Sequence, residues 1–414
     1  MIRKIAAYAL TLSFFSFGNF GLLNIFGIRR EAQVLVLLLL SLVFLVDLMN
    51  GRRGFVKRPI FYLSLVLLIS ATVLGDWEMS GIYFADLLIV VCLINLPEYY
   101  QEKVLKSIVI FACIFSVFAL IQVVFVVFQP ELGFKLYTGY ESSSGAAPIE
   151  INHPLGYLGF TYIDYDLILA GARFFRFVSY STEASVLVPY FLIPGAIALT
   201  FDNKLSLLSI PILLFVAVFP FSTTVQVTIA IGLVIALLAK LHPVKDKGLI
   251  LLPYFPFMIA VVLLIIYKAL DSTEIMNYLQ GFLNPIAESS SAFDKESSGV
   301  VRLISINYFL SGLKFSLLGY ETRITAPMNI IVSNYIAGGV IGMISTTLVL
   351  FSISKNSVQV MMSKNSKIRL FAILVYSTLF VILSFSDYGW RIAPGFIMFI
   401  LLDFRLNQIK DHQL

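Results

Sequence analysis

The stretch LKSIVIFACIFSVFALIQVVFVVF, Leu105–Phe128, decides the class of fold. After Lys106 it holds no charged residue, no proline and no glycine. A helix needs about 20 apolar residues to cross a bilayer, and this run exceeds that. The rest of the chain resembles it. Of 414 residues 59% are hydrophobic and only 13% are charged. Soluble domains do not have that balance, so the chain reads as an all-α polytopic membrane protein forming one membrane domain over residues 1–414. The net charge of +5 is therefore a topology signal, and no nucleic-acid partner is expected from it.

Twelve apolar stretches qualify as spans: 6–27, 32–49, 59–75, 81–97, 105–128, 184–201, 205–220, 224–240, 248–268, 328–353, 369–384 and 392–406. The seventh and eleventh are short for the purpose. The N-terminal run has no small-x-small cleavage site, which favours a retained helix over a signal peptide. Cys92 and Cys113 both lie inside apolar runs, which excludes a disulfide framework and a zinc spacing.

Alternate short connections carry the cations Arg52, Arg53, Lys57 and Arg58; Lys103 and Lys106; Lys204; Lys240, Lys245 and Lys247; Lys355, Lys364 and Lys367. Arg3, Lys4, Arg405 and Lys410 put the two termini on the same side, which the positive-inside rule makes cytoplasmic. Arg29 and Arg30 are the exception. Trp77 and Trp390 sit in the opposite short connections, as interface anchors do. Two long connections, 129–183 and 269–327, then face outward, and their length marks them as functional or disordered. Apolar patches in the first suggest short amphipathic pieces returning to the membrane, and Tyr308–Gly319 in the second suggests an interfacial helix.

These outer connections hold Arg173, Arg176, Arg302 and Arg323. Arg173 and Arg176 share a face if their segment is helical, with Glu183 about two turns on. Guanidinium groups bind phosphate through several donors at once, so a cluster of them fits an anionic lipid-linked ligand. Two plainer readings stand beside this one: snorkelling to headgroups, and simple pairing of Arg176 with Glu183. His153 is either a reserve base or part of a His-Pro turn. Tyrosines 137, 140, 157, 162 and 165 either stack on sugars or form an aromatic belt. Asp86 and Gln226 lie within apolar spans, where an ionisable group is a functional candidate and an amide can bridge helices.

Two motifs add a resemblance. The first reads Arg176-Phe-Val-Ser-Tyr-Ser-Thr-Glu183-Ala-Ser185, just ahead of a span. The second comprises Arg302, Leu318-Gly319, Met328-Asn329, nine further residues, and Gly339-Val-Ile-Gly342. Together they resemble the O-antigen polymerase/ligase superfamily, with Ser179 standing for its glycine, Ala184 for its proline and Met328 for its histidine. The resemblance implies a fold like that of GT-C-type membrane glycosyltransferases. It also implies a multi-pass protein of the bacterial inner (plasma) membrane, with its site facing the periplasm or exterior. The implied reaction is polymerisation of undecaprenyl-pyrophosphate-linked oligosaccharide repeat units into O-antigen, capsular or exopolysaccharide. No cofactor or metal is expected. Lipid is a partner, and a chain-length regulator protein is allowed as another.

On this resemblance the catalytic residues are Arg176, Glu183 and Arg302, with Arg173, Arg323, Asn329, Tyr180 and His153 binding substrate. Glu183 is either the base or the residue that orients Arg176. Methionine at 328 cannot exchange a proton, which favours a Wzy-type polymerase over a ligase. The rival from another class is a transporter, either a flippase for lipid-linked oligosaccharides or a secondary carrier. A transporter would carry its charges or Gly/Pro breaks near the middle of symmetric spans.

Overall fold

The computed structural model describes residues 2–16, 29–51, 54–128, 134–137, 150–151, 161–169, 172–177, 187–201, 203–218, 223–241, 252–269, 315–321, 329–384 and 393–413. Each of the twelve apolar stretches coincides with a helical segment. They are α1 (Ile2–Ser16), α2 (Arg29–Met49), α3 (Pro59–Val73), α4 (Trp77–Ile94) and α5 (Glu98–Phe128). A π-helical turn (Val188–Leu192) leads into α6 (Ile193–Ala198), and a 3-10 turn (Asn203–Leu208) into α7 (Ser209–Val218). The remainder are α8 (Thr223–Leu241), α9 (Phe255–Ala269), α10 (Ile330–Met361), α11 (Ser366–Ser384) and α12 (Ala393–Gln413).

Five of them are long and apolar enough to cross a membrane among the described residues: Glu31–Met49, Trp77–Ile94, Glu98–Ile121, Ile330–Met361 and Ser366–Leu383. The other apolar helices are shorter. At 15 residues, α3 reaches about 22 Å, against ~30 Å of hydrocarbon. Proline accounts for part of this shortening. Pro189 and Pro194 open the π turn and α6, where each removes an N–H from the ladder.

The helices form one core around Phe14, Tyr190, Phe191, Phe215, Tyr376 and Phe399, all buried. Phe14 meets Tyr190 edge-on at 5.2 Å, and Phe191 meets Phe215 at 5.5 Å. Outside the core the surface stays apolar: Leu38, Leu42 and Leu45 of α2 are 64%, 56% and 56% exposed. A leucine face of that extent suits lipid rather than water. Helices α3 and α4 form an antiparallel hairpin, and α10 packs on α3, α11 and α12.

One end of the bundle is fastened by charge. Both terminal guanidinium nitrogens of Arg3 (α1), Nη1 and Nη2, grip the buried carboxylate of Asp47 (α2), Nη1 at 2.8 Å. Asp403 (α12) accepts from Ser352 Oγ at 3.0 Å, Asn356 Nδ2 at 3.1 Å and Arg58 Nη1 at 3.2 Å. Arg405 donates to Thr200 Oγ1 at 2.8 Å and to the Thr200 carbonyl at 2.7 Å, with Phe201 beneath it. Lys106 also lies over Phe201. Arg3, Arg58, Lys106 and Arg405, which the positive-inside rule puts on one side, gather at one end. Arg29 and Arg30 open α2 at the other end and remain the exception.

The first long connection differs from expectation. Instead of short interfacial helices, its described residues form strands β1 (Phe134–Tyr137), β2 (Glu150–Ile151), β3 (Thr161–Leu169) and β4 (Ala172–Phe177). They make one sheet in the order β2-β1-β3-β4. Strand β3 pairs parallel with β1 and antiparallel with β4, and the β3–β4 register shifts between Asp164 and Ile168. Aromatic and β-branched residues dominate Thr161–Leu169 and Ala172–Phe177, and only Ala170-Gly171 separates them, which is hairpin chemistry. The second connection also departs from its reading. Residues 315–319, the end of the expected interfacial helix, are not helical.

Candidate functional site

Helix α10 starts at Asn329, whose Oδ1 accepts the Val332 N–H at 2.8 Å. This satisfies one of the orphan donors of the first turn, so Asn329 serves as an N-cap and is buried. After nine intervening residues the helix breaks. Gly339 takes φ 62°, ψ −157°, a conformation open essentially to glycine alone.

The segment 315–321 fills the break. The Val340 N–H donates to the Ser316 carbonyl at 3.0 Å, and the Tyr320 N–H donates to the Ile336 carbonyl at 2.9 Å. Glu321 N–H reaches that same carbonyl at 3.4 Å. Within the strap, Ser316 Oγ donates to the Gly319 carbonyl at 2.8 Å. The backbones approach so closely that only hydrogen fits between them. A Cβ on Gly339 would lie under 3.0 Å from the backbone of Leu317 and Gly319, and one on Gly319 (φ 82°) equally close to that of Ala337. Across the break, Asn334 Nδ2 donates to Thr346 Oγ1 at 2.9 Å, and Thr346 Oγ1 donates to the Gly342 carbonyl at 2.7 Å. Gly338 packs on Val66 and Leu67, which seats the break against α3.

Thus the Leu318-Gly319 turn, Asn329, Gly339 and Gly342, which belong to one sequence motif, form one structural unit. Beside it, Tyr320 meets Tyr335 edge-on at 6.3 Å. Burial, then Tyr335 and Glu321, push the Tyr320 phenol above its ordinary pKa, so its hydroxyl keeps its proton. A hollow of about 630 Å³ opens here, lined by Leu74, Gly75, Asp76, Trp77, Glu78, Tyr320 and Glu321.

The cationic part of the predicted site is placed only in part. Arg173 and Arg176 both lie on β4, so their positions are extended and the three-residue spacing gives no shared helical face. Arg176 pairs in register with Ile163 and Arg173 with Ile168. His153, Tyr180, Glu183, Arg302 and Arg323 lie outside the described residues. Asp86 is buried in α4, and neither of its carboxylate oxygens has a hydrogen-bond partner among the described residues. Gln226, read as a helix–helix bridge, is exposed on α8.

Sequence reasoning missed the strap, the Asn334–Thr346 bridge and the hollow beside them. The Gly338-Gly339 pair within an apolar run was the available signal for a break. Compared with protein-family models, with curated proteins and with solved structures, the chain gives no match.

Proposed function

We propose that this membrane protein is a polysaccharide polymerase acting on polyprenyl-pyrophosphate-linked repeat units. The observation that carries the reading is the strapped break in α10. It joins the Leu318-Gly319 turn, Asn329 and Gly339–Gly342 into a rigid platform at the end of the bundle away from Arg3, Arg58 and Arg405. With the cationic end cytoplasmic, the platform and both long connections face the exterior of the plasma membrane.

In the proposed reaction a hydroxyl oxygen at the non-reducing end of one repeat unit attacks the anomeric carbon of the growing chain. The bond from that carbon to the pyrophosphate oxygen breaks, and undecaprenyl pyrophosphate leaves with the electron pair. Arg176 and Arg302, helped by Arg173 and Arg323, stabilise the charge that develops on it. Glu183 either takes the hydroxyl proton or orients Arg176. Asn329 contributes by starting α10 where it does, and Tyr180 and His153 belong to the sugar-binding side.

A gel of surface polysaccharide from a deletion strain carrying each variant tests this. Arg176→Ala and Arg302→Ala, present at normal levels, should each lower polymer yield about 10²–10³-fold, leaving single-repeat material. An unchanged ladder in both would overturn the clamp. Glu183→Gln with most activity retained would leave Glu183 the orienting role. Loss of transfer to lipid A–core with polymer still accumulating would make the protein a ligase.

The broken α10 and buried Asp86 favour a second reading as a transporter of lipid-linked oligosaccharide, because discontinuous helices and intramembrane carboxylates build transport sites. That reading requires the deletion strain to lose all surface material, single repeats included.

A further inference from the structure

The sheet of the first long connection has two unlike faces, and its register shows which residues share each. Residues opposite one another across a ladder lie on the same face, and neighbours along a strand alternate. Phe134 pairs with Thr161, Ile163 with Arg176 and Leu169 with Ala172, which puts these on one face. Lys135 pairs with Tyr162, Asp164 with Phe175 and Ile168 with Arg173, on the other. The register shift adds its residues to β3, so the alternation along β4 keeps the two sets apart.

The first face carries Phe134, Leu136, Ile151, Ile163, Leu169 and, by alternation, Phe174. Its one charged register position is Arg176. The second face holds four charges, Lys135, Glu150, Asp164 and Arg173. Arg173 and Arg176 therefore stand on opposite faces of β4. Each strand reads as half-buried, one side for an apolar medium and one for water.

Three observations identify that medium. Among the described residues no helix packs closely on the sheet, whose strands pack on one another. Next, the sheet is tethered to the bilayer. Helix α5 ends in Val123–Phe128, six residues that are all Val or Phe, so its apolar run reaches its last turn. Only residues 129–133 separate it from β1, which holds the start of the sheet within about 20 Å of that helix end. Lastly, the single charge of the apolar face is a guanidinium. Enclosed by protein it would need a carboxylate partner, whereas at a lipid surface the phosphates supply one and the aliphatic stem stays in the apolar layer.

We infer that the sheet is a membrane-lying element. Its Phe134–Phe174 face rests in the leaflet at the outer end of α5, Arg176 lies at the level of the lipid phosphates, and Arg173 belongs to the aqueous face. The inference rests on register and tether and is independent of the polymerase reading.

The two native tryptophans are removed by Trp77→Phe and Trp390→Phe, and the whole chain is placed in nanodiscs of phosphatidylcholine and phosphatidylglycerol. Phe174→Trp and Phe175→Trp then report on adjacent positions of opposite face. Lipids brominated in their acyl chains should quench the Phe174→Trp protein about threefold more than the Phe175→Trp protein, and aqueous acrylamide should do the reverse. Arg176→Ala should lower the lipid quenching of the Phe174→Trp protein about twofold, and Arg173→Ala should not. Equal acrylamide quenching at both positions would mean that the sheet stands clear of the membrane. Shielding of the Phe174→Trp protein from both quenchers would mean that protein covers the face. Either result overturns the inference, as does an equal response to Arg173→Ala and Arg176→Ala. Leu136→Trp and Tyr137→Trp repeat the comparison on β1, so a β4 variant that is not recovered leaves the test in place.

Discussion

The two ends of the bundle are fastened by different physics. At the Arg58 end, side-chain charges do the work: Arg3 on Asp47, Arg58 on Asp403 and Arg405 on Thr200. At the strap end the fastening is backbone to backbone, through Val340 to Ser316 and Tyr320 to Ile336, at glycines that leave no room for a Cβ. Charges can be exchanged or screened one at a time. Backbone contact between Gly319 and Gly339 cannot be approximated by another residue. The strap end should therefore be the less tolerant of substitution and the less sensitive to salt.

Gly339→Val is the strongest challenge to that contrast. It places a branched side chain at φ 62° and against the Leu317 backbone. The expected cost is about 3–5 kcal/mol, visible as poor recovery from the membrane or the largest fall in melting temperature of any variant here. A melting temperature within two degrees of the parent would refute the strap as a fixed element. Asp47→Ala should rank second. It leaves Arg3 without its partner at a site where Asp47 is fully enclosed, and about 3 kcal/mol is expected in detergent unfolding. The double variant Arg3→Ala, Asp47→Ala should cost less than the single one, since it strands no charge.

Thr346→Val removes the hydroxyl that bridges Asn334 to the Gly342 carbonyl. About 1–2 kcal/mol is expected, because the Asn334 amide is left buried without that acceptor. An unchanged melt would show that the break needs no bridge. Arg58→Ala should do least, no more than a few tenths of a kcal/mol, because its guanidinium is largely exposed. Raising salt to about 1 M should erase that difference and leave the Gly339 effect intact.

The helices were legible because a long apolar run permits few other outcomes, and α2, α4, α5, α10 and α11 have the required length. Their number was easier to read than their extent, since Pro189 and Pro194 shorten α6 by a local rule that hydropathy averages away. The sheet was missed because the aromatic patches of 161–177 suit a membrane interface as well as a strand. Arg173 and Arg176 then lost their helical face along with the helix. The strap was half legible. Gly319, Gly339 and Gly342 stood out as motif residues, but only the backbone path shows that the first two touch. Tyr320 and Glu321 carried no signal of their own.

Both native cysteines belong to the packed interior. Cys92 donates its thiol to the Leu40 carbonyl at 3.3 Å, and Cys113 is likewise buried and unoxidised. The chain therefore offers little thiol background to a membrane-impermeant maleimide. A single cysteine introduced at exposed Phe315 or at exposed Tyr99, at opposite ends of the bundle, would report in whole cells which end meets the exterior.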